Sequence, residues 1–136
     1  MKKITLLGLA VLLVLSAAVS CKKKKSGDEG GCGEQKIKVA TIPAINTVDP
    51  PAPGTDFPLV VNIETMPPSG ATVIVNAKSE NNGTVFFTDT LKKALASNSL
   101  EITNTPPGVS CLVTISVISA TCNTNTFSGT YRYTAK

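Results

Sequence analysis

The sequence contains no histidine and no tryptophan, and its only aromatic residues are two tyrosines and four phenylalanines. Without histidine, the chain lacks the commonest general base and the commonest zinc ligand. The cysteines lack the close spacing of a zinc site, and Cys111 has no histidine with which to form a nucleophilic pair. No glycine-rich phosphate-binding loop is present. We therefore expect no catalytic residues, no metal site and no cofactor.

The acidic residues also do not indicate a catalytic or calcium-binding site. Asp49 and Asp56 lie in the proline-rich stretch TVDPPAPGTD, where aspartate favours turns. Turn formation explains them more economically than a glycosidase-type carboxylate pair does. Glu80, Asn81 and Asp89 surround a predicted hairpin, which accounts for them better than calcium binding does.

The amino terminus is an uncharged apolar run, residues 4 to 19, behind two lysines. This run is shorter than the roughly 20 residues of a membrane-spanning helix and ends in small residues, as a cleaved secretory signal does. Its end, Ala18-Val19-Ser20-Cys21, resembles the lipobox of bacterial lipoproteins, although that family most often has leucine where Ala18 stands. The resemblance implies that residues 1 to 20 are a lipoprotein signal peptide. It also implies a lipid on Cys21 that anchors the protein in the cell envelope. The residues Ser26-Gly27-Asp28-Glu29 resemble the acidic signals that send lipoproteins of some Gram-negative lineages to the outer membrane, so we expect that membrane, with the periplasmic or surface face left open. Ordinary secretion, with Cys21 as a plain thiol, is the alternative.

A polar spacer joins this start to the rest of the chain. Residues 22 to 25 are four lysines, and the glycine-rich residues that follow are too polar to pack, so we predict a lipidated flexible tether over residues 21 to 35. Residues 36 to 136 carry seven basic and six acidic residues, which makes this part nearly neutral. We therefore expect contact with lipid headgroups through the lysines and no nucleic-acid partner.

Alternation of apolar and polar residues predicts β-strands over most of the remaining chain. The predicted strands cover residues 36–41, 57–64, 71–79, 84–90, 99–103, 110–119 and 126–134. Pro-Gly corners and the dipeptide Asn82-Gly83 separate them, and only residues 91 to 97 favour a helical turn. Seven short strands with regular turns indicate one antiparallel β-sandwich domain, which we place at residues 36 to 136.

The stretch LEITNTPPGVSCLVTISVIS, residues 100 to 119, resembles the E strand, Pro-Gly corner and F strand of fibronectin type III and related immunoglobulin-like domains. At the level of strand pattern, the resemblance extends over residues 57 to 134. That family usually has a tyrosine three residues past the corner glycine, where this chain has Cys111, and a tryptophan on the second strand. The resemblance implies an immunoglobulin-like β-sandwich of about seven strands, and a fold of this kind does not name a function.

Beyond Cys21, the chain has three cysteines, so at least one stays unpaired or bonds to another molecule. An extended strand after Cys111 would carry Cys122 about 25 Å away, whereas a disulfide needs Cα atoms within about 7 Å. In the resembled strand order, the start of the first strand and the last hairpin loop share one end, which favours Cys32 paired with Cys122. The local pair and the absence of any disulfide stay open, and Cys111 is expected to be a buried thiol.

Two apolar residues fall on the solvent-facing phase of their strands. Ile74 and Leu112 point outward in the predicted register, and with Tyr131 or Tyr133 they would form an exposed apolar binding face. Scattered exposed aliphatic residues are the ordinary alternative.

The triplet Asp89-Thr90-Leu91 resembles an O-glycosylation site used by one lineage of Gram-negative bacteria, with Thr90 as the acceptor. An ordinary strand end is the alternative.

Together these features predict a lipid-anchored, non-catalytic binding or structural module of the bacterial cell envelope. Its expected partners are the membrane, through the lipid, and an unknown envelope protein or glycan. A carbohydrate-capture accessory domain is the alternative, and such a domain would need a row of exposed aromatic residues.

Overall fold

The computed structural model of the chain describes residues 30 to 136, which form seven β-strands. The strands are β1 (Val39–Ile42), β2 (Phe57–Ile63), β3 (Ala71–Ser79), β4 (Val85–Leu91), β5 (Ser97–Ile102), β6 (Ser110–Ser119) and β7 (Thr126–Thr134). Within the described part of the chain, no helix is long and apolar enough to cross a membrane. The predicted signal peptide, Cys21 and the lysine run lie outside the described residues.

The strands form two sheets, a three-stranded sheet in the order β1-β2-β5 and a four-stranded sheet in the order β4-β3-β6-β7. All of the strand pairs are antiparallel. This is an antiparallel β-sandwich of seven strands, and the predicted all-β sandwich is confirmed. The strand boundaries lie within a few residues of those that the alternation predicts.

Buried aliphatic residues from both sheets make the core. Val61 of β2 belongs to the same buried cluster as Val73, Val75, Val113 and Ile115 of the four-stranded sheet, and all five side chains are fully buried. The alternation along β3 and β6 places every second side chain in the core, because successive residues of a strand point to opposite faces. Each buried aliphatic side chain contributes about 1.5–3 kcal/mol, so the core holds the two sheets together.

The connection between β4 and β5 contains no helix, so the predicted helical turn over residues 91 to 97 is wrong. β4 continues to Leu91 and β5 begins at Ser97. The buried side chain of Asn98 accepts a hydrogen bond from the backbone N–H of Leu95 at 2.8 Å and donates one to the Leu95 carbonyl at 2.8 Å. The Asn98 side chain thus satisfies the backbone N–H and carbonyl of Leu95, which would need other partners in the absence of a helical turn.

The proline-rich stretch after β1 is part of the four-stranded sheet's edge and is not a free linker. The backbone N–H groups of Asn46, Asp49 and Ala52 donate to carbonyls of β7 at 2.7, 2.8 and 3.1 Å, in parallel bridges. Pro50 and Pro51 have no N–H group to donate. Through the hydrogen bonds of its other residues, the stretch covers the open edge of β7, which would otherwise present unpaired backbone groups.

The packed part of the chain begins before the predicted boundary at residue 36. Residues 30 to 35, predicted as flexible tether, form a turn. The Gly30 N–H donates to the Glu34 carbonyl at 2.8 Å, and the Glu34 N–H donates to the Gly31 carbonyl at 3.0 Å. This turn packs on the loop between β6 and β7, because Asn125 of that loop bonds to its backbone and side chains. The predicted tether is therefore wrong for these six residues. Their contacts are with a loop distant in sequence, which glycine-rich composition does not indicate.

Candidate functional site

Cys32 and Cys122 are joined by a disulfide in the structure. Their Cα atoms lie 6.0 Å apart, and 90 positions of the sequence separate them. The bond connects the start of the domain to the β6–β7 loop, at the end of the sandwich from which the chain leaves toward Cys21. Around it, the hydroxyl of Thr124 lies 3.2 Å from the sulfur of Cys122. This end of the domain is therefore closed by covalent and hydrogen bonds.

Asn125 is the centre of the hydrogen bonds at the disulfide end. Its side chain is fully buried, accepts a hydrogen bond from the Ile37 N–H at 3.1 Å, and donates to the Gln35 carbonyl and the Glu34 carboxylate, each at 2.9 Å. The bond from Asn125, followed by one from Ser119, holds the pKa of Glu34 below its ordinary value. These bonds satisfy a buried amide completely, and they identify a structural role for this end of the domain.

Cys111 is a buried thiol. It is fully inaccessible, and its sulfur donates to the Val109 carbonyl at 3.4 Å. Burial raises the pKa of the thiol, which disfavours the thiolate. Cys111 therefore has neither the exposure nor the charge state of a reactive cysteine.

The expected binding face is not formed as predicted. Ile74 and Leu112 are half-buried on the outer face of the four-stranded sheet, but in different rows. Ile74 pairs with Ser116, and Leu112 pairs with Lys78. A polar row lies between them, so the two side chains do not make a contiguous apolar patch.

Tyr131 and Tyr133 point away from that face and into the core, with exposures of 1% and 2%. The prediction that they belong to an exposed face is wrong. Arg132, between them on β7, is the residue that points to solvent. Because a strand alternates its faces, an exposed arginine places both neighbours inside.

The outer face instead carries a small charged cluster. The Arg132 guanidinium lies 2.7 Å from one Glu80 carboxylate oxygen, and the Ser110 hydroxyl donates to the other at 2.7 Å. The bond from Ser110, followed by the one from Arg132, lowers the pKa of Glu80 below its ordinary value. The cluster connects β6 and β7 to the β3–β4 hairpin, and both carboxylate oxygens of Glu80 have a hydrogen-bond donor.

The two tyrosine hydroxyls differ in their surroundings. The Tyr133 hydroxyl lies 2.8 Å from that of Thr105, and burial raises the pKa of Tyr133 to about 12. The Tyr131 hydroxyl has no hydrogen-bond partner among residues 30 to 136. Burial, followed by the nearby charges of Tyr133 and Asp49, raises the pKa of Tyr131. A buried hydroxyl without a partner costs stability and calls for an explanation.

A cavity of about 110 Å³ lies beside these tyrosines, between the start of β2 and the stretch that covers β7. We call it the tyrosine pocket, and it is lined by Pro43, Asp49, Phe57, Pro58, Tyr131 and Tyr133. Of these lining residues, the two tyrosines are buried, Pro58 is exposed, and the other three are half-buried. The rings of Phe57 and Tyr133 have centroids 4.4 Å apart, and those of Tyr131 and Tyr133 lie 6.2 Å apart.

The sequence pattern does not bring these residues together in a pocket. It predicts a turn at Asp49 and an outward position for the tyrosines. The alternation around Arg132 gives the signal for the inward tyrosines. No local pattern brings Asp49 to them, because that contact depends on the parallel bridges between residues 46 to 52 and β7.

Thr90 is exposed at the edge strand β4. Its backbone N–H donates a hydrogen bond to the Asp89 carboxylate at 2.7 Å. Its hydroxyl therefore lies on an accessible surface, as a glycosylation acceptor requires. The modification itself stays a prediction.

Among residues 30 to 136, no group of three acidic, cysteine or histidine side chains is placed to hold a metal ion. A comparison of the sequence with models of known protein families and with curated proteins finds no match.

Proposed function

We propose that this protein is a lipid-anchored, non-catalytic binding or structural module of the bacterial cell envelope. The observation that carries the proposal is Cys21 at the end of the apolar run, in the context Ala18-Val19-Ser20-Cys21. Each methylene of an acyl chain buried in a bilayer contributes about 0.8 kcal/mol, so two or more chains hold a protein stably on a membrane.

The disulfide supports an extracytoplasmic location. Disulfides persist in oxidising compartments such as the periplasm and the cell surface, and Cys32 and Cys122 are bonded. The bonded Cys32 lies only eleven positions after Cys21. A lipid on Cys21 would therefore hold the disulfide end of the domain near the membrane.

The non-catalytic part of the proposal rests on composition and burial. The chain has no histidine, its one free described cysteine is buried, and Glu34 and Glu80 are engaged in hydrogen bonds. The carbohydrate-capture alternative is less well supported, because all six aromatic residues lie within the described chain and each is buried or half-buried. These features fit protein binding better than carbohydrate binding, which would need a row of exposed aromatic residues.

Mass spectrometry of the membrane-extracted protein tests the anchor. We expect the mature chain to begin at an acylated Cys21. The Cys21→Ala variant should be released or remain uncleaved, whereas the matched Cys111→Ala variant should stay acylated in the membrane fraction. A soluble mature protein that begins at another residue would overturn the proposal.

A further inference from the structure

The Asp49 carboxylate in the tyrosine pocket has no counter-ion. Asp49 is half-buried, and among residues 30 to 136 its carboxylate has no hydrogen bond or ion pair. The one arginine of the chain, Arg132, is bound to Glu80 on the opposite face of β7. A carboxylate in partly apolar surroundings attracts a cation more strongly than one in open water does.

The walls of the pocket also favour a positive charge. Phe57, Tyr131 and Tyr133 place three aromatic rings around one small space. The faces of such rings attract ammonium and guanidinium groups within about 6 Å. The two prolines at the rim, Pro43 and Pro58, add apolar surface that fits the methylenes of a long cationic side chain.

The size of the pocket decides between ligand classes. Sites for whole small molecules measure roughly 300–1,000 Å³, whereas the tyrosine pocket measures about 110 Å³. This space takes one functional group and its adjacent methylenes. A whole sugar ring with its hydroxyls does not fit the volume or the mostly apolar walls.

We propose that the tyrosine pocket binds one positively charged side chain, a lysine ammonium or an arginine guanidinium, presented by a partner protein at the cell envelope. Asp49 neutralises the charge, and the half-buried ring of Phe57 and the prolines at the rim pack against the ligand's methylenes. The inference deepens the proposed binding role and rests on it. It names the chemistry by which the partner is recognised.

The composition of the protein provides a direct measurement. With no tryptophan and only two tyrosines, the intrinsic emission of the full-length protein arises mainly from Tyr131 and Tyr133, both in the pocket. The membrane-extracted protein, in a detergent without aromatic rings, is titrated with N-acetyl-lysine N-methylamide and with the arginine analogue. We expect a saturable change in emission with a millimolar dissociation constant, weakened severalfold by added salt.

Neutral and sugar probes separate the alternatives. The matched N-acetyl-norleucine N-methylamide, which has the methylenes without the charge, should give no saturable change. An equal response to norleucine would overturn the assignment of a cationic ligand. A response to N-acetylglucosamine without one to lysine would also overturn it in favour of a glycan. No response to any probe would indicate that the pocket holds only water.

Variants locate the binding to the named residues. Asp49→Asn should weaken lysine binding about tenfold, and Phe57→Leu, which removes the partly exposed ring, should weaken it severalfold. Asp56→Asn is the matched control, since Asp56 is exposed and does not line the pocket. Unchanged affinity in Asp49→Asn, with circular dichroism confirming the fold, would contradict the proposal. The location of the protein is read separately from Cys21, so failure of the pocket and failure of the anchor are distinguishable.

Discussion

The hydroxyl of Tyr133 lies 2.8 Å from the hydroxyl of Thr105, and both side chains are buried. Thr105 belongs to the Pro-Gly corner between β5 and β6. In immunoglobulin-like domains, a tyrosine near the start of the following strand commonly bonds back to this corner. Here Cys111 occupies that position and pairs with Tyr133 across β6 and β7. The tyrosine that contacts the corner therefore comes from the neighbouring strand.

Removing the two tyrosine hydroxyls should have opposite consequences. Tyr133→Phe leaves the buried Thr105 hydroxyl without its partner, so we expect the free energy of unfolding to fall by about 1–2 kcal/mol. Tyr131→Phe removes a buried hydroxyl that has no partner, and it should be neutral or stabilising. Chemical denaturation followed by far-ultraviolet circular dichroism measures both. Equal losses in the two variants would contradict this account.

The disulfide should be a large contributor to stability. It closes a loop with a sequence separation of 90, and a bond across a loop of this length restricts the unfolded chain strongly. We expect the Cys32→Ala/Cys122→Ala double variant to lose about 2–5 kcal/mol. Reduction of the wild-type protein should lower its melting temperature to a similar extent.

Cys111, the one unpaired cysteine among residues 30 to 136, provides the control for that experiment. Cys111 is unpaired, so Cys111→Ala should keep the dependence of the melting temperature on reducing agent, although the small cavity left in the core lowers the stability. The double variant should lose the dependence altogether. A wild-type melting temperature that does not respond to reductant would contradict the predicted contribution.

Asn125 should be sensitive to substitution although it lies in a loop. Asn125→Ala leaves the Ile37 N–H and the Gln35 carbonyl without their partner, and we expect a loss of about 2–3 kcal/mol in the free energy of unfolding. Asn123→Ala is the matched control, because Asn123 is exposed in the same loop and its loss should change little. Comparable effects at the two positions would contradict the assigned role of Asn125.

Acid should weaken the fold through two glutamates. Hydrogen bonds lower the pKa values of Glu34 and Glu80 below the ordinary value of 4.5. A lowered pKa in the folded state contributes stability that is fully present above 4.5 and is lost as the pH falls through the folded-state value. The melting temperature should therefore decline below pH 4.5.

Glutamine variants separate these two groups from the general effect of acid. Glu34→Gln and Glu80→Gln should each flatten the decline of the melting temperature. Glu101→Gln is the control, because the Glu101 carboxylate has no hydrogen bond or ion pair within residues 30 to 136. If all three variants keep the wild-type slope, the two glutamates do not cause the acid dependence.

Strand positions and fold class follow from the sequence because a half-buried strand alternates its side chains. In β6, Cys111, Val113, Ile115 and Val117 are all buried, as their spacing predicts. The prediction of a helical turn fails at residues 91 to 97, where buried Asn98 holds the loop through hydrogen bonds to Leu95 and Val61. Helical propensity in a short segment cannot compete with such contacts.

The pocket could be predicted only in part. If Arg132 is taken as exposed, side-chain alternation along β7 predicts that Tyr131 and Tyr133 face inward. The position of Asp49 was not, because proline-rich composition indicates a linker, and only the hydrogen bonds to β7 carry this residue to the pocket. Contacts between segments distant in sequence have no local signature.

The end of the domain opposite the disulfide should face away from the membrane. The disulfide joins Cys32, close to the proposed anchor, to the β6–β7 loop. From that loop, β7 runs nine residues, from Thr126 to Thr134, a length of about 30 Å. Lys136 and the tyrosine pocket near Tyr133 therefore lie toward the opposite end. If Cys21 carries the lipid, this opposite end should be the more accessible to partners.

Epitope tags measure this orientation. One tag follows Lys136, and the other lies between Asn123 and Thr124, which are exposed in the β6–β7 loop. On intact cells or spheroplasts, antibody should bind the tag after Lys136 better, because the loop tag lies beside the membrane. In the Cys21→Ala background the released protein should show equal binding to both tags, which controls for the tags themselves. Equal access in the anchored protein, or better access at the loop, would contradict the orientation, since the disulfide keeps the loop at the anchored end.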